Sequence, residues 1–187
     1  LGSCAYENAS AMLRQRAQDP GAPDLFSELA EKFRMFVRLL ADVAESLRAR
    51  SARKVYWALT VGMPEPEAGE IDAPLAKQPG TGGEKMHVDE EEGLPSRTRY
   101  RIIERAGNRA CWMELHPHTG RTHQLRVHMA AIGHPIVGDG KYGGKSAFLT
   151  GTISRKMHLH SRRLRIDHPD GGAIDVQAEV PDHFAAS

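Results

Sequence analysis

Apolar residues at Leu25, Phe26, Leu29, Phe33, Phe36, Val37, Leu40, Val43, Ala44 and Leu47 recur at steps of three and four, which predicts an amphipathic helix over residues 24–50. Asp24 is placed to cap it, and Pro20, Gly21 and Pro23 break the chain just before, so residues 1–23 read as an irregular segment. From Arg53 the period changes to two. Val55, Trp57, Leu59 and Val61 alternate with Tyr56, Ala58 and Thr60, as in a half-buried strand. Residues 63–95 are rich in Pro, Gly and Glu and read as a long mobile insert, with room for short strands near Ile71 and Lys85–Val88.

Beyond the insert, RTRYRIIER and RACWMELHP flank Ala106–Asn108 and predict a hairpin. Thr122 is then positioned to cap a short helix that places Leu125, His128, Met129 and Ile132 on one face and stops at Gly133. GHPIVGDGKYGG is a glycine-rich loop, and MHLHSRRLRI with AIDVQAEV predicts a second hairpin. The expected class is α+β, a largely antiparallel mixed sheet flanked by helices, with residues 24–187 as one domain.

Composition narrows the function. The net charge of +1 conceals an asymmetry: residues 1–95 carry 11 Lys and Arg against 16 Asp and Glu, net −5, and residues 96–187 carry 14 against 8, net +6. Nine of the ten histidines also lie in the second half. A basic half suits a polyanion, although charges interspersed in the fold could cancel. No apolar run is long enough to span a bilayer, so no membrane partner is expected. Cys4 and Cys111 are far apart and lack C-x-x-C spacing, which fits reduced thiols in the cytoplasm, with Cys111 a core residue beside Met113.

The stretch from Leu115 to Lys145 holds five histidines and invites three readings: a metal site, a nucleic-acid grip, or a helix with a solvated face. His123 and His128 are five apart rather than four, and no H-E-x-x-H occurs, so no metal is expected. GDGKYGG lacks the order of a Walker loop, and no nucleophile elbow is present. A Thr-Gly turn before a helix can aim backbone N–H groups at phosphate, and Arg126 lies off the Leu125/Met129 face, where it could pair with a carboxylate or phosphate.

HTGRTHQLRVHMAAIGHPIVGDGKYG resembles the signature stretch of the RluA-type RNA pseudouridine synthases. RARSARKVYWALTVG is similar to that family's basic, tyrosine-bearing strand, and MHLHSRRLRIDHP and VQAEVPDHF resemble its closing strands, so the likeness covers about residues 47–184. The resemblance implies an isomerase that flips a uridine from ribosomal or transfer RNA, detaches the base, turns it and rejoins it through carbon, using neither metal nor organic cofactor. It further implies Tyr56 as the residue stacked on uracil, Arg126 as the partner of a catalytic aspartate, and Thr119, Gly120, Arg121 and His123 as the RNA-binding wall. A monomeric, cytoplasmic protein is expected.

The family's aspartate sits in a segment of the type H-R-L-D-x-x-T-S-G ahead of the tyrosine strand, and this chain contains no such segment. Asp19, Asp24 and Asp42 are the aspartates before Arg53. Asp42 belongs to the predicted helix, whose Leu40, Val43 and Leu47 are expected to pack inward. The domain is therefore expected to be N-terminally incomplete and inactive as it stands, with a non-catalytic RNA-binding remnant as the alternative. Arg126 should face either water or a substitute acid.

Overall fold

A computed structural model describes residues 25–48, 52–79, 85–168 and 171–185. The chain divides into two compact units, Leu1–Glu45 and Ser46–Ser187. In the first, helix α1 (Leu25–Arg48) follows the predicted period, while residues 1–23, the Asp24 cap and Cys4 lie outside the described residues. Its apolar stripe differs from expectation: Leu29, Phe33, Phe36, Val37 and Leu40 are exposed and Val43 is only half-buried. Amphipathic spacing specifies a helix that can bury one face, but burial itself requires a neighbour.

The second unit is built on strands β1 (Arg53–Val61), β2 (Ala68–Asp72), β5 (Arg97–Ala106), β6 (Ala110–Pro117), β7 (Leu159–Asp167) and β8 (Ala173–Gln177). They form one sheet in the order β2-β5-β6-β1-β7-β8, antiparallel throughout. Both predicted hairpins are present; β5 and β6 turn at Gly107, whose φ of 62° suits a residue without Cβ. The insert is more ordered than its composition suggests. Within 63–95, β2 pairs with β5 and closes one edge of the sheet, and β3 (Leu75–Lys77) pairs with β4 (Met86–Val88) as a separate ribbon.

The two faces of β1 divide as its alternation predicts. Ala58 joins Met113, Leu115 and Cys111 of β6 beneath Leu125 and Met129 of helix α2 (Gln124–Ala131). Leu59, on the other face, packs with Ala110 and Val137, and Trp112 and Leu149 border that cluster. Lys54 and Tyr56 share the α2 side, since β1 runs regularly from Lys54 to Tyr56. The register irregularity opposite Val55 and Tyr56 falls on β7, where Arg162 is the additional residue.

The segment between α2 and β7 crosses back over β1 through the Gly138 loop. Gly138 has φ 82°, and a Cβ there would lie 2.2 Å from the Lys156 carbonyl oxygen. Gly138→Ala should therefore lose about 2–5 kcal/mol, combining left-handed strain of about 1–2 with overpacking of about 1–3. Urea unfolding of the two proteins measures it, and an unchanged midpoint would mean that the loop is not held as described.

Candidate active site

The turn from β6 into α2 is fastened by one buried amide. Gln124 Oε1 accepts from the Thr119 hydroxyl at 2.6 Å and from the Arg121 amide at 3.0 Å. Its Nε2 donates to the Arg97 carbonyl at 2.9 Å and to Thr98 Oγ1 at 3.0 Å. All four capacities of the side chain are used, which is what burying an amide requires. Thr119 is committed as well, since its oxygen also accepts from the Arg97 amide at 3.0 Å. His128 lies buried behind this turn, with Nε2–H donating to the Ala73 carbonyl at 3.0 Å and Nδ1 accepting from Thr98 Oγ1 at 2.9 Å. Burial pushes its pKa down, so it is a neutral core residue.

Helix α2 begins one residue later than the sequence suggests. His123, not Thr122, is the N-cap, in the left-handed region at φ 53° and without a side-chain cap bond. That conformation is unfavourable for a side chain with Cβ. The ring is fixed instead by Tyr142, whose hydroxyl lies 2.8 Å from His123 Nδ1. The same hydroxyl accepts from the Met86 amide of β4 at 3.1 Å, so the β3–β4 ribbon is tied to the site.

Arg126 meets an acid that the sequence did not nominate. Its Nε donates to Asp139 Oδ2 and its Nη2 to Asp139 Oδ1, both at 2.7 Å, and the guanidinium lies 4.8 Å from the centre of the Tyr142 ring. Asp139 Oδ1 also accepts from the amides of Lys141 and Tyr142 at 3.1 and 3.2 Å. The carboxylate is 1% exposed. Of the two expectations for Arg126, the substitute acid is realised, and it is Asp139. The glycine loop is thus wound on its own carboxylate and does not present those amides to a bound phosphate. Burial alone would raise the Asp139 pKa, but the Arg126 guanidinium and the two amides outweigh it and hold it below the ordinary carboxylate value.

A cavity of about 230 Å³ opens beside this pair, lined among others by Lys54, Tyr56, Gly120, Arg121, His123 and Arg126. Thr119 lines it too, so all six residues singled out from the sequence meet at one place. Drug-sized ligands occupy about 300–1,000 Å³, so this space fits a single small planar group. Gln124, Asp139, Tyr142 and Lys54 were not singled out. The first three are identified by hydrogen bonds between distant segments, whereas Lys54 could have been found from its place two residues before Tyr56. No group of three or more His, Cys, Asp or Glu able to hold a metal occurs among the described residues.

The basic half is partly neutralised. Arg97 pairs with Glu70 and Asp72, Arg105 with Glu67, Arg101 with Glu114 and Arg163 with Asp175. Glu114 is held down at about 2, chiefly by the Arg101 guanidinium acting against burial. At the cavity, Arg126 and Asp139 cancel, while Lys54 and Arg121 have no acid partner among the described residues. The local field is positive.

A positive, aromatic-edged cavity on an antiparallel sheet suits a planar group attached to an anionic backbone. Residues 37–131 match the family model for RNA pseudouridylate synthase, and the chain belongs to that family, in its RluA-type branch. It is 40% identical over 144 residues to ribosomal large subunit pseudouridine synthase C of Yersinia pestis, covering 76% of this chain and 44% of the relative. It is 37% identical over 131 residues to the dual-specificity RNA pseudouridine synthase RluA of Escherichia coli, covering 70% and 58%. Among solved structures, human RNA pseudouridylate synthase domain containing 1 superposes with a TM-score of 0.63 at 30% identity, covering 75% of this chain and 60% of that one. The chain spans about half the length of the curated relatives it matches.

Asp139→Asn should lower stability at pH 7 by about 2–3 kcal/mol, less than the roughly 3–5 for breaking a fully buried pair, because Arg126 keeps some solvent. The folded-state pKa of Asp139 is depressed, so its contribution is complete above the ordinary carboxylate range and disappears as pH falls through the lowered value. The gap between wild type and variant should therefore close on acidification. Equal stability of the two at pH 7 would count against the pair.

Proposed function

We propose that this chain recognises a uridine of ribosomal or transfer RNA at the Tyr56–Arg126 cavity, as a cytoplasmic monomer, and does not isomerise it unaided. Family membership supports an RNA substrate, and the similarity to the Yersinia ribosomal large subunit pseudouridine synthase supports a ribosomal one. Tyr56 takes the role of stacking on the flipped base, and Arg126 offers the N–H groups that Asp139 leaves free. Thr119 contributes only its apolar surface, because its hydroxyl is engaged. Gly120, Arg121 and His123 form the side along which the RNA backbone approaches.

The observation that carries this reading is the absence of any carboxylate among the described residues lining the cavity. Isomerisation breaks the N1–C1′ bond and makes C5–C1′, with a proton lost from C5 and one gained at N1. The resemblance assigns that step to an aspartate. Asp139 is committed to Arg126 and two amides, and releasing it would leave a partly desolvated guanidinium without its counter-ion. Asp42 lies in the other compact unit.

Purified chain should bind a uridine-containing single-stranded RNA with affinity that falls steeply with salt, because phosphate contacts release counterions. Tyr56→Ala should weaken binding by about 1–3 kcal/mol, the usual value for base–aromatic stacking. Mass spectrometry or carbodiimide mapping of incubated ribosomal and transfer RNA should find no new pseudouridine. Turnover that Asp42→Asn abolishes would make Asp42 the catalyst and overturn this account.

A further inference from the structure

Resting on that reading, we propose that Lys54 and Gly120 form a phosphate subsite at the mouth of the cavity, in which the Lys54 ammonium takes the RNA phosphodiester flanking the flipped uridine. Lys54 is two residues before Tyr56 on β1, so both side chains project to the same face, and both line the cavity. Its ammonium makes no hydrogen bond or ion pair among the described residues. Arg97, Arg101, Arg105, Arg126 and Arg163, by contrast, are each neutralised by an acid. A cation left unpaired beside an aromatic ring is the arrangement a nucleotide needs, a flat apolar contact for the base and a charge one backbone step away.

Gly120 faces this ammonium. A Cβ built on it would lie 3.7 Å from Lys54 Nζ, and its φ is outside the left-handed region. Backbone conformation therefore does not require glycine here. What the missing side chain provides is open approach to the ammonium from solvent, and Gly120 is itself exposed. Arg121 borders the same opening, with its Nε donating to the Pro95 carbonyl at 3.3 Å, and adds a second positive charge without a competing acid. The amides of the nearby glycine loop cannot serve instead, because Asp139 already takes those of Lys141 and Tyr142.

The test uses the whole chain and a short uridine-containing single-stranded RNA, with binding followed by anisotropy across a salt series. Lys54→Met keeps the stem and removes one phosphate contact, so the slope of log affinity against log salt should shrink by about 0.7. Affinity should then fall by about fivefold near 0.1 M salt and by almost nothing near 1 M, whereas Lys54→Arg should keep the wild-type slope. Gly120→Asp is the independent arm: it puts a carboxylate against the ammonium and should lose at least as much affinity. It also decides the matter if Lys54→Met fails to fold by circular dichroism. Salt-dependent binding by wild type that is unchanged in Lys54→Met, or in a folded Gly120→Asp, overturns the subsite and leaves the proposed function standing. No RNA binding by wild type at any salt overturns both.

Discussion

The site depends on the two-pronged ion pair between Arg126 and Asp139. Arg126 projects from a helix of only eight residues, and Asp139 from a loop that returns across β1. The helix packs into the core through Leu125 and Met129 and the loop's stem is bridged to β1 at Ile136, while the pair and its attached amides link the two to each other. Asp139 draws the Lys141 and Tyr142 amides inward, which brings the Tyr142 ring under the guanidinium and its hydroxyl to His123 and Met86. One carboxylate thereby couples helix, loop and the β3–β4 ribbon. Planar guanidinium geometry makes that coupling directional, which a lysine at the same position would not achieve.

A second consequence is electrostatic. The +6 of residues 96–187 is not a uniformly basic surface once folded, because acids from β2, β6 and β8 stand opposite the arginines of β5 and β7. Exposed pairs of this kind contribute little to stability, but they remove charge from the outer sheet. Of the cations left without an acid partner among the described residues, Lys54 and Arg121 are the two that line the cavity. Local excess, rather than net charge, is what steers a polyanion to one place on a nearly neutral chain.

The elements with a sustained period were legible in the sequence: α1, β1, both hairpins and the Leu125/Met129 face. Alternation also separated the two sides of β1 correctly, because a strand has no other way to place its side chains. The start of α2 was misread because Thr122 is a good cap by type, whereas His123 takes the left-handed position and relies on Tyr142 from 19 residues away. Within the insert, the strands near Ile71 and Lys85–Val88 were legible and are β2 and β4, whereas β3 was obscured by the surrounding Pro, Gly and Glu. Tyr56, Arg126 and the wall residues came from a family likeness. Asp139 was hidden within a glycine-rich motif, where it looked like a loop acid.

The locked state of Asp139 separates two roles that a carboxylate could fill beside Arg126. A structural counter-ion should be buried, held by several donors and kept below its ordinary pKa, and Asp139 meets all three conditions. A carboxylate that attacks or polarises a sugar must keep an oxygen accessible and give up its solvation only when substrate arrives. These demands conflict at a single residue, because the ion pair and amides that fix Asp139 hold its carboxylate buried and away from solvent. Arg126 can still serve both acids, since Asp139 occupies its Nε and one Nη2 proton and leaves the remaining N–H groups for the cavity. A second carboxylate at Arg126 would therefore have to approach from the cavity side, since Asp139 holds the other.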